Sequence, residues 1–504
     1  MSNTNRVTIR ATAEATFGVV PSTPDFVELC MTGAPGLAFS PKTEPSAKIR
    51  SDRQLDDLIL VGGEATGDIN SELAFYIHDQ FLEGALFSAF QTRVNRLNNE
   101  QETQITAAAA ATDFTVTDEG DTIIENDIVR GENFSVAANN VFHIAEAAST
   151  NISFITLTAA AETTPPNQAR LTVVGHRSAD GDQALAISGT TGTLTATILD
   201  FTTVAALGLQ AGDWICLDGF VATPANNGFY RLQIDPVAKI LTFDLVPLGA
   251  VTETPAGAVD IYVGDRLTNG TTTKSYSLEE EFADHTAEIT YQYFRGMTID
   301  QYKISAPSQA IVTTGVTFSG KDAFYSTTSE GATLEQLPGG ETNGRATGAT
   351  TITAQSVDIL NSSSNVARLS ENGVAITGAN YVTEFTVEVA NNLRQRNAVG
   401  FLGAISIGDG EFTVTGSMNT FFDNSDLARK VISNENTAVD VRYVDDNSHA
   451  IVIDLPKIKF NDGAAEVAAK NEDTTLPLGY TALRHAVFGY TMNYQRFGGF
   501  VKTA

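Results

Sequence analysis

The sequence is short of positive charge: 31 lysines and arginines stand against 60 aspartates and glutamates, a formal net charge of -29. A groove that holds a phosphate backbone needs Lys and Arg to displace counterions, so nucleic acid is excluded as a bound ligand. Such a surface repels DNA instead, which is useful where DNA must pass without sticking. Cysteine is nearly absent. Cys30 and Cys216 are far apart and in no CxxC pattern, which excludes a disulfide framework and a zinc site and predicts two buried thiols. No apolar run is long enough to span a bilayer, and the N-terminal MSNTNRVTIRATAEATFG lacks the apolar core of a signal peptide. The expectation is a protein made and kept in the cytoplasm unless it leaves inside an assembly.

Catalytic wording is missing as well. His78, His143, His176, His285, His449 and His485 are scattered without HExxH or other ligand spacing, and no GxSxG elbow, Walker loop or dinucleotide fingerprint is present. The Gly-rich words at Gly408 (GDG) and Pro338 (PGG) read as turns. Asp118, Glu119, Asp121, Glu125 and Asp127 cluster, but without the D-x-[DN]-x-[DN]-G spacing of a calcium loop they read as a solvated loop. No catalytic residue, metal site or cofactor is expected.

What the sequence does have is alternation. Only 18% of residues are charged, and short segments of period two dominate, which favours a mainly β chain of several domains. The clearest region runs from Thr383 to Lys459. Phe385, Val387 and Val389 alternate with Thr386 and Glu388, and Phe412, Val414, Gly416 and Met418 alternate with Thr413, Thr415 and Ser417. These predict half-buried antiparallel strands. After them Asn424 or Ser425 can cap a short helix with Leu427, Ala428, Val431 and Ile432 at helical spacing, Asp426 at its start and Arg429 and Lys430 at its end. The order is strand, long loop, strand, helix, strand, hairpin, strand.

That order, with the words NNLRQR, GDGEFTVTGSM and IDLPKIKF, resembles the tail tube proteins of long, non-contractile-tailed bacteriophages, most clearly over residues 383–504. The resemblance implies a β-sandwich with a flanking helix, assembled into stacked rings whose inner strands close a tube around the path of the DNA. It also implies a virion component, and as partners other copies of the chain and other tail proteins such as the tape measure and terminator.

The same layout occurs earlier in other words. Ile69, Leu73 and Phe75 predict a strand entered through Gly67, as the later one is entered through Gly416. Ile77, Phe81, Leu82, Ala85, Leu86, Ala89 and Phe90 then predict an amphipathic helix packed on a sheet. An interruption follows, and matching strands resume with YSLEEEF, TYQYFRG, MTIDQYKISA and GVTFSGKDA. The chain therefore reads as a duplication: a discontinuous first tube domain, 1–100 with 275–325, a linker or loop at 326–344, and a second tube domain, 345–504. Residues 1 to 30 read as an extended arm that orders on stacking.

The interruption repeats itself. NDIVRGENF aligns with GDWICLDGF, ANNVFHI with ANNGFYRL and VVGHR with YVGDR, the spacing being 86 positions from Asp127 to Asp213 and 89 from Val173 to Tyr262. This predicts two small all-β modules, 101–185 and 186–274, decorating the outside.

Three functional readings follow. In the first, a structural tube subunit, two domains per chain turn the sixfold ring implied by the resemblance into a trimer. Glu279 and Glu281, alternating with apolar Leu278 and Phe282, and Glu411, in line with Thr413 and Thr415, are then candidate lumen acids. Lys42, Lys48, Arg50, Arg53, Arg394 and Arg396, in long loops beside the key strands, are candidate ring-to-ring contacts, against the plain reading of ordinary surface charge. In the second, a surface adhesin or carbohydrate-binding protein, Trp214, Phe220, Phe229 and Tyr230 of the second module supply a sugar-stacking face, unless they are core. A hydrolase has only generic acids in its favour.

Overall fold

The computed structural model describes residues 3–500 except 22–24, 34, 92–95, 99–104, 109–112, 117–122, 124, 148–150, 155–159, 163, 167–168, 179–182, 189–192, 199–206, 238–239, 256, 286–288, 327–349, 353–357, 377–380 and 468. Among them the architecture is mainly β, with two α-helices. No described helix is long and apolar enough to cross a membrane. The linker at 326–344 falls outside the described residues except for Ser326, as do Asp118, Glu119 and Asp121 of the acid cluster.

One large open sheet system runs through both halves of the chain. Its first half uses β1 (Val7–Ala13), β2 (Ala38–Pro45), β3 (Leu58–Glu72), α1 (Asp79–Ala85), β4 (Ser275–Phe282), β5 (Thr290–Pro307) and β6 (Thr313–Gly320). Its second half uses β7 (Val382–Ala390), β8 (Thr413–Phe421), α2 (Asp426–Ser433), β9 (Thr437–Val444), β10 (Ala450–Asp462), β11 (Thr475–Ala482) and β12 (Asn493–Phe497).

The duplication is written in the registers. Met297 pairs with Tyr276 and Phe294 with Leu278 across a bulge, and Ile458 pairs with Thr437 and Leu455 with Val439 across another. Each residue of the second set lies 161 positions beyond its counterpart (276 to 437, 278 to 439, 294 to 455, 297 to 458). A second bulge, between Ile299 and Gln301 against β6, recurs between Phe460 and Asp462 against β11, again 161 positions on. Bulges reset which face a side chain takes, so two coinciding bulges mark one fold used twice. Gly67 and Gly416 are crossed closely in both copies. A Cβ at Gly67 would stand 2.6 Å from the Leu37 Cα, and one at Gly416 2.4 Å from the Tyr480 hydroxyl.

The halves share one core. Ile69, Phe318, Tyr302 and Ile304 of the first meet Phe385, Val387, Met418 and Tyr480 of the second in a single buried cluster. β1 is no loose arm: it pairs with β4 along its whole length, Val7 with Phe282 through Ala13 with Tyr276. Helix α1 is shorter than its apolar spacing predicts, because Tyr76 (φ 69°) and Phe87 (φ 49°) take left-handed conformations on either side of it. Helix α2 begins after Ser425 and ends at Asn434 in the left-handed region; Leu427 is buried, whereas Ile432 is exposed.

Most of the interruption forms a separate sheet, while its last strand, Asp265–Thr268, pairs with β12 in the large one. Its repeated words do the same work twice. Asn140 clasps the backbone of Phe134 at both N–H and carbonyl, as Asn227 clasps Phe220. Asn139 and Asn226, both fully buried, accept from the Ala160 and Val251 amides. The closing strands of the two copies pair antiparallel, Gly175 with Tyr262 and Arg177 with Asp260.

Candidate functional site

Around the joint between the halves, β3, β6, β5, β7, β8 and β11 form an unbroken antiparallel run. The joint itself is β5 on β7, Gln301 opposite Ala390 through Pro307 opposite Glu384. Tyr302, Ile304, Phe385, Val387 and Val389 point into the core, so the period of two leaves Gln301, Lys303, Ser305, Glu384, Thr386 and Glu388 on the other face. Neighbouring strands extend that face with Glu64, Thr66 and Asp68, with Thr313 and Thr317, with Thr413, Thr415 and Ser417, and with Thr481 and Lys459. Glu411 is exposed and continues the β8 line. The result is a broad polar surface carrying Glu64, Asp68, Glu384, Glu388 and Glu411 against Lys303 and Lys459.

Glu279 and Glu281 are elsewhere. They lie on β4, between β1 and the first part of β5, away from this surface. The solvated face expected for Glu279 is overturned: its side chain is 0% exposed, ion-paired to Arg10 at 2.9 Å and accepting from the Tyr293 hydroxyl at 2.7 Å. Glu281 is the second carboxylate on Arg10 and is mostly buried. The same position in the other copy is Asp440, also buried and paired to Arg368 at 3.0 Å. An acid under an arginine is thus part of the repeated core. Alternation correctly placed Glu279 on a face but could not show that β1 and its arginine cover it.

The basic candidates do sit on projecting elements. β2 and the outer part of β3 form a hairpin whose residues from Ala38 to Val61 are exposed almost throughout. Lys42 lies along it, and Lys48, Arg50 and Arg53 at its far end. Lys48 and Arg50 already have partners there: Lys48 meets Asp56 at 2.8 Å, and Arg50 meets Asp52 at 2.7 Å and Asp56 at 2.6 Å. These pairs lower the Asp52 and Asp56 pKa. Arg394 and Arg396 belong to a second, shorter hairpin, Arg394–Arg396 on Ser406–Gly408, and Arg394 donates to the Asp409 carbonyl. The loop of the second hairpin meets the foot of the first, the Gly63 amide donating to the Leu402 carbonyl at 2.8 Å. Sequence reasoning fixed on the basic residues and missed the apolar ones beside them: Ile49, Leu55, Leu58 and Ile59 on the first hairpin and Val399 and Phe401 on the second are all exposed.

The inserted modules are anchored by buried polar contacts. The Trp214 backbone exchanges hydrogen bonds with the Gln495 side chain at 2.7 and 2.8 Å, and Arg231 meets the buried Asp454 at 2.9 Å. Burial outweighs the pull of Arg231 and raises the Asp454 pKa to about 6. At the other module, His449 lies between Glu132 (2.7 Å) and Asp445 (2.6 Å). Burial alone would raise the Glu132 pKa, but the His449 hydrogen bond and the charges of Arg170 and Arg130 bring it down to about 2. A cleft of about 250 Å³ opens here, but Glu132, Arg170, Asp445 and His449 along its wall are already paired, so it reads as a junction between parts of the fold.

Three smaller expectations change. Trp214, Phe220, Phe229 and Tyr230 are all at most 4% exposed, so they are core and present no stacking face. Cys30 is exposed rather than buried, while burial raises the Cys216 thiol to about 12. Asp127 is buried beside His176 rather than on a solvated loop.

Paired halves joined through one sheet, with projecting hairpins and an unclosed sheet system, define a structural building block. Comparison with protein families agrees: the model of the phage tail tube protein family matches residues 4–236 and again 173–482. The chain belongs to that family. It is a tail-tube component of the phage virion, a structural subunit of a multi-subunit tube and not an enzyme. The comparison with curated proteins found no match.

Proposed function

We propose that three copies of this chain form a pseudo-hexameric ring and that rings stack into the tail tube, with the polar face of the continuous sheet lining the channel for viral DNA. The first tube domain is 1–100 with 275–325 and the second 345–504. The two inserted modules lie outside the channel. The observation that carries the reading is the β5–β7 joint, which makes two copies of one fold into one sheet whose exposed face is rich in threonine and carboxylates. Carboxylates there repel phosphates, and hydroxyls offer them no counter-charge to stick to. Glu411 is a lumen candidate beside Glu64, Asp68, Glu384 and Glu388; Glu279, buried, and Glu281, half-buried, lie off that face and are held by Arg10. The two hairpins reach the neighbouring ring, with Lys42, Lys48, Arg50, Arg53, Arg394 and Arg396 at the contact. The tape measure and terminator are the further partners of this reading, and assembly takes place in the host cytoplasm.

Electron microscopy of the purified chain tests it. Rings or tubes with three chains per layer and a hole wide enough for a duplex are expected. Six chains per layer would sink the trimer, and persistent monomers would sink the tube.

A further inference from the structure

The joint inside the chain has a counterpart left open at the chain's two ends. β5 continues past its bulge from Gln301 to Pro307 and is paired on both sides, by β6 and by β7. Adding the offset of 161 places 462–468 of the second half on 301–307. There the regular strand stops at Asp462, yet the chain keeps the same path: Glu466 bridges to Thr475 of β11, as Ser305 pairs with Thr313 of β6. From Asn461 to Val467 the segment is exposed or half-exposed, Val467 to 85%, and no described strand covers its outer edge. An edge of this kind, with an apolar side chain in water, is a template for another strand.

The other end offers that strand. β7 pairs with β8 through Glu388 opposite Thr415, Val389 opposite Val414 and Ala390 opposite Thr413. β3 lies 349 positions before β8, from Gly67 to Gly416, so the residues that take the place of Glu388, Val389 and Ala390 are Ala38, Phe39 and Ser40, opposite Thr66, Ala65 and Glu64. The Gly36 amide bonding to the Asp68 carbonyl carries the path one step further back. Among the described residues nothing pairs with the outer side of 36–40, and Ala38, Phe39 and Ser40 are exposed.

We infer that residues 462–466 of one copy pair antiparallel with 36–40 of a second copy of this chain, in the register of the β5–β7 joint. Transferring that register sets Asp462 opposite Ser40, Gly463 opposite Phe39, Ala464 opposite Ala38, Ala465 opposite Leu37 and Glu466 opposite Gly36. Phe39, Leu37 and Val467 then cover one another on the core side, where Tyr302, Ile304, Val387 and Val389 do so within the chain. On the core side Gly463 and Ala465 stand where the inner joint has Tyr302 and Ile304, Phe39 and Leu37 stand where it has Val389 and Val387, and the Lys303–Glu388 pair is replaced by two alanines. The copies therefore meet by backbone pairing and a modest apolar contact, and each folds before it joins. The contact is head to tail, so it either closes a ring or runs on as a filament. This inference rests on the tube reading and adds which edges meet and in what register.

A cysteine pair tests it. Residues directly opposite on antiparallel strands bring their Cα atoms to about 4.5–5.5 Å, within disulfide reach, while diagonal neighbours lie about 7–8 Å apart. In a Cys30→Ser background, which removes the exposed thiol, Ala38→Cys with Ala464→Cys is expected to yield intermolecular disulfides on mild oxidation of assembled protein. Neither single variant should do so, and Ser40→Cys with Ala464→Cys should link far less. Amides of 36–40 and 463–466 are expected to gain hydrogen-exchange protection on assembly. Wild-type tubes that show no protection there, or a stronger link at Ser40, overturn the joint while leaving the tube reading intact. A wild-type chain that forms neither ring nor tube overturns both.

Discussion

At the scale of single residues, two kinds of acid must be told apart. Glu279 is buried and holds Arg10 and the Tyr293 hydroxyl. Glu411 stands in water. Arg10 keeps Glu281 when Glu279 is neutralised, so Glu279→Gln is expected to cost the charge-assisted bonds to Arg10 and the Tyr293 hydroxyl, about 2 kcal/mol of folding stability. Glu411→Lys, on an open surface, is expected to stay within about 0.5 kcal/mol and leave tubes intact. Urea unfolding of the two variants checks this, and equal losses would mean that the burial assignment is wrong. Both residues sit in alternating patterns with threonine, serine or glutamate, so the sequence alone treats them alike. What separates them is the partner strand: β1, distant in sequence, brings Arg10 over Glu279, and no local pattern announces a residue 269 positions away.

At the scale of elements, strand and helix order was legible, while lengths and neighbours were less so. The duplicated strands could be read because their alternation survives in both copies, and the bulges at Asp300 and Asn461 kept the two registers in step. Helix α1 was overestimated because apolar residues go on past Ala85, but Phe87 turns left-handed and ends it. In the exposed hairpin of β2 and β3 the basic residues predict a loop, because apolar residues on strands with no core behind them leave no alternation to mark a strand. Ile49, Leu55, Leu58 and Ile59 have no reason to be apolar in an isolated chain. If they meet the next ring, replacing Thr43–Val61 by Asn-Gly should leave a folded chain of unchanged melting temperature, because those residues touch little of the core. Lys42 and Gly62 would then flank a two-residue turn of the kind that suits hairpins. Rings should still form but should not stack. Full-length tubes from this variant in electron micrographs would assign stacking to some other surface.

For the whole molecule, the net charge of -29 and the local ion pairs make opposite demands on assembly. If stacking were driven by Lys and Arg of one ring meeting acids of the next, added salt would weaken it by screening. But Lys48 and Arg50 are already neutralised by Asp52 and Asp56 of their own hairpin. Contact with another ring would exchange carboxylates for carboxylates and gain little, as exposed ion pairs generally do. Repulsion between whole subunits is not compensated in this way. It reaches about 30 Å at 0.01 M salt and about 3 Å at 1 M, so it is the term that salt changes most. Assembly should therefore strengthen as salt rises, driven by backbone edges and apolar hairpin residues that screening does not touch. Sedimentation of the chain across that range, with the pelleted fraction rising with salt, is the expected result. A fraction that falls instead would show that the basic residues of the hairpins find partners across rings that outweigh those they hold within the chain.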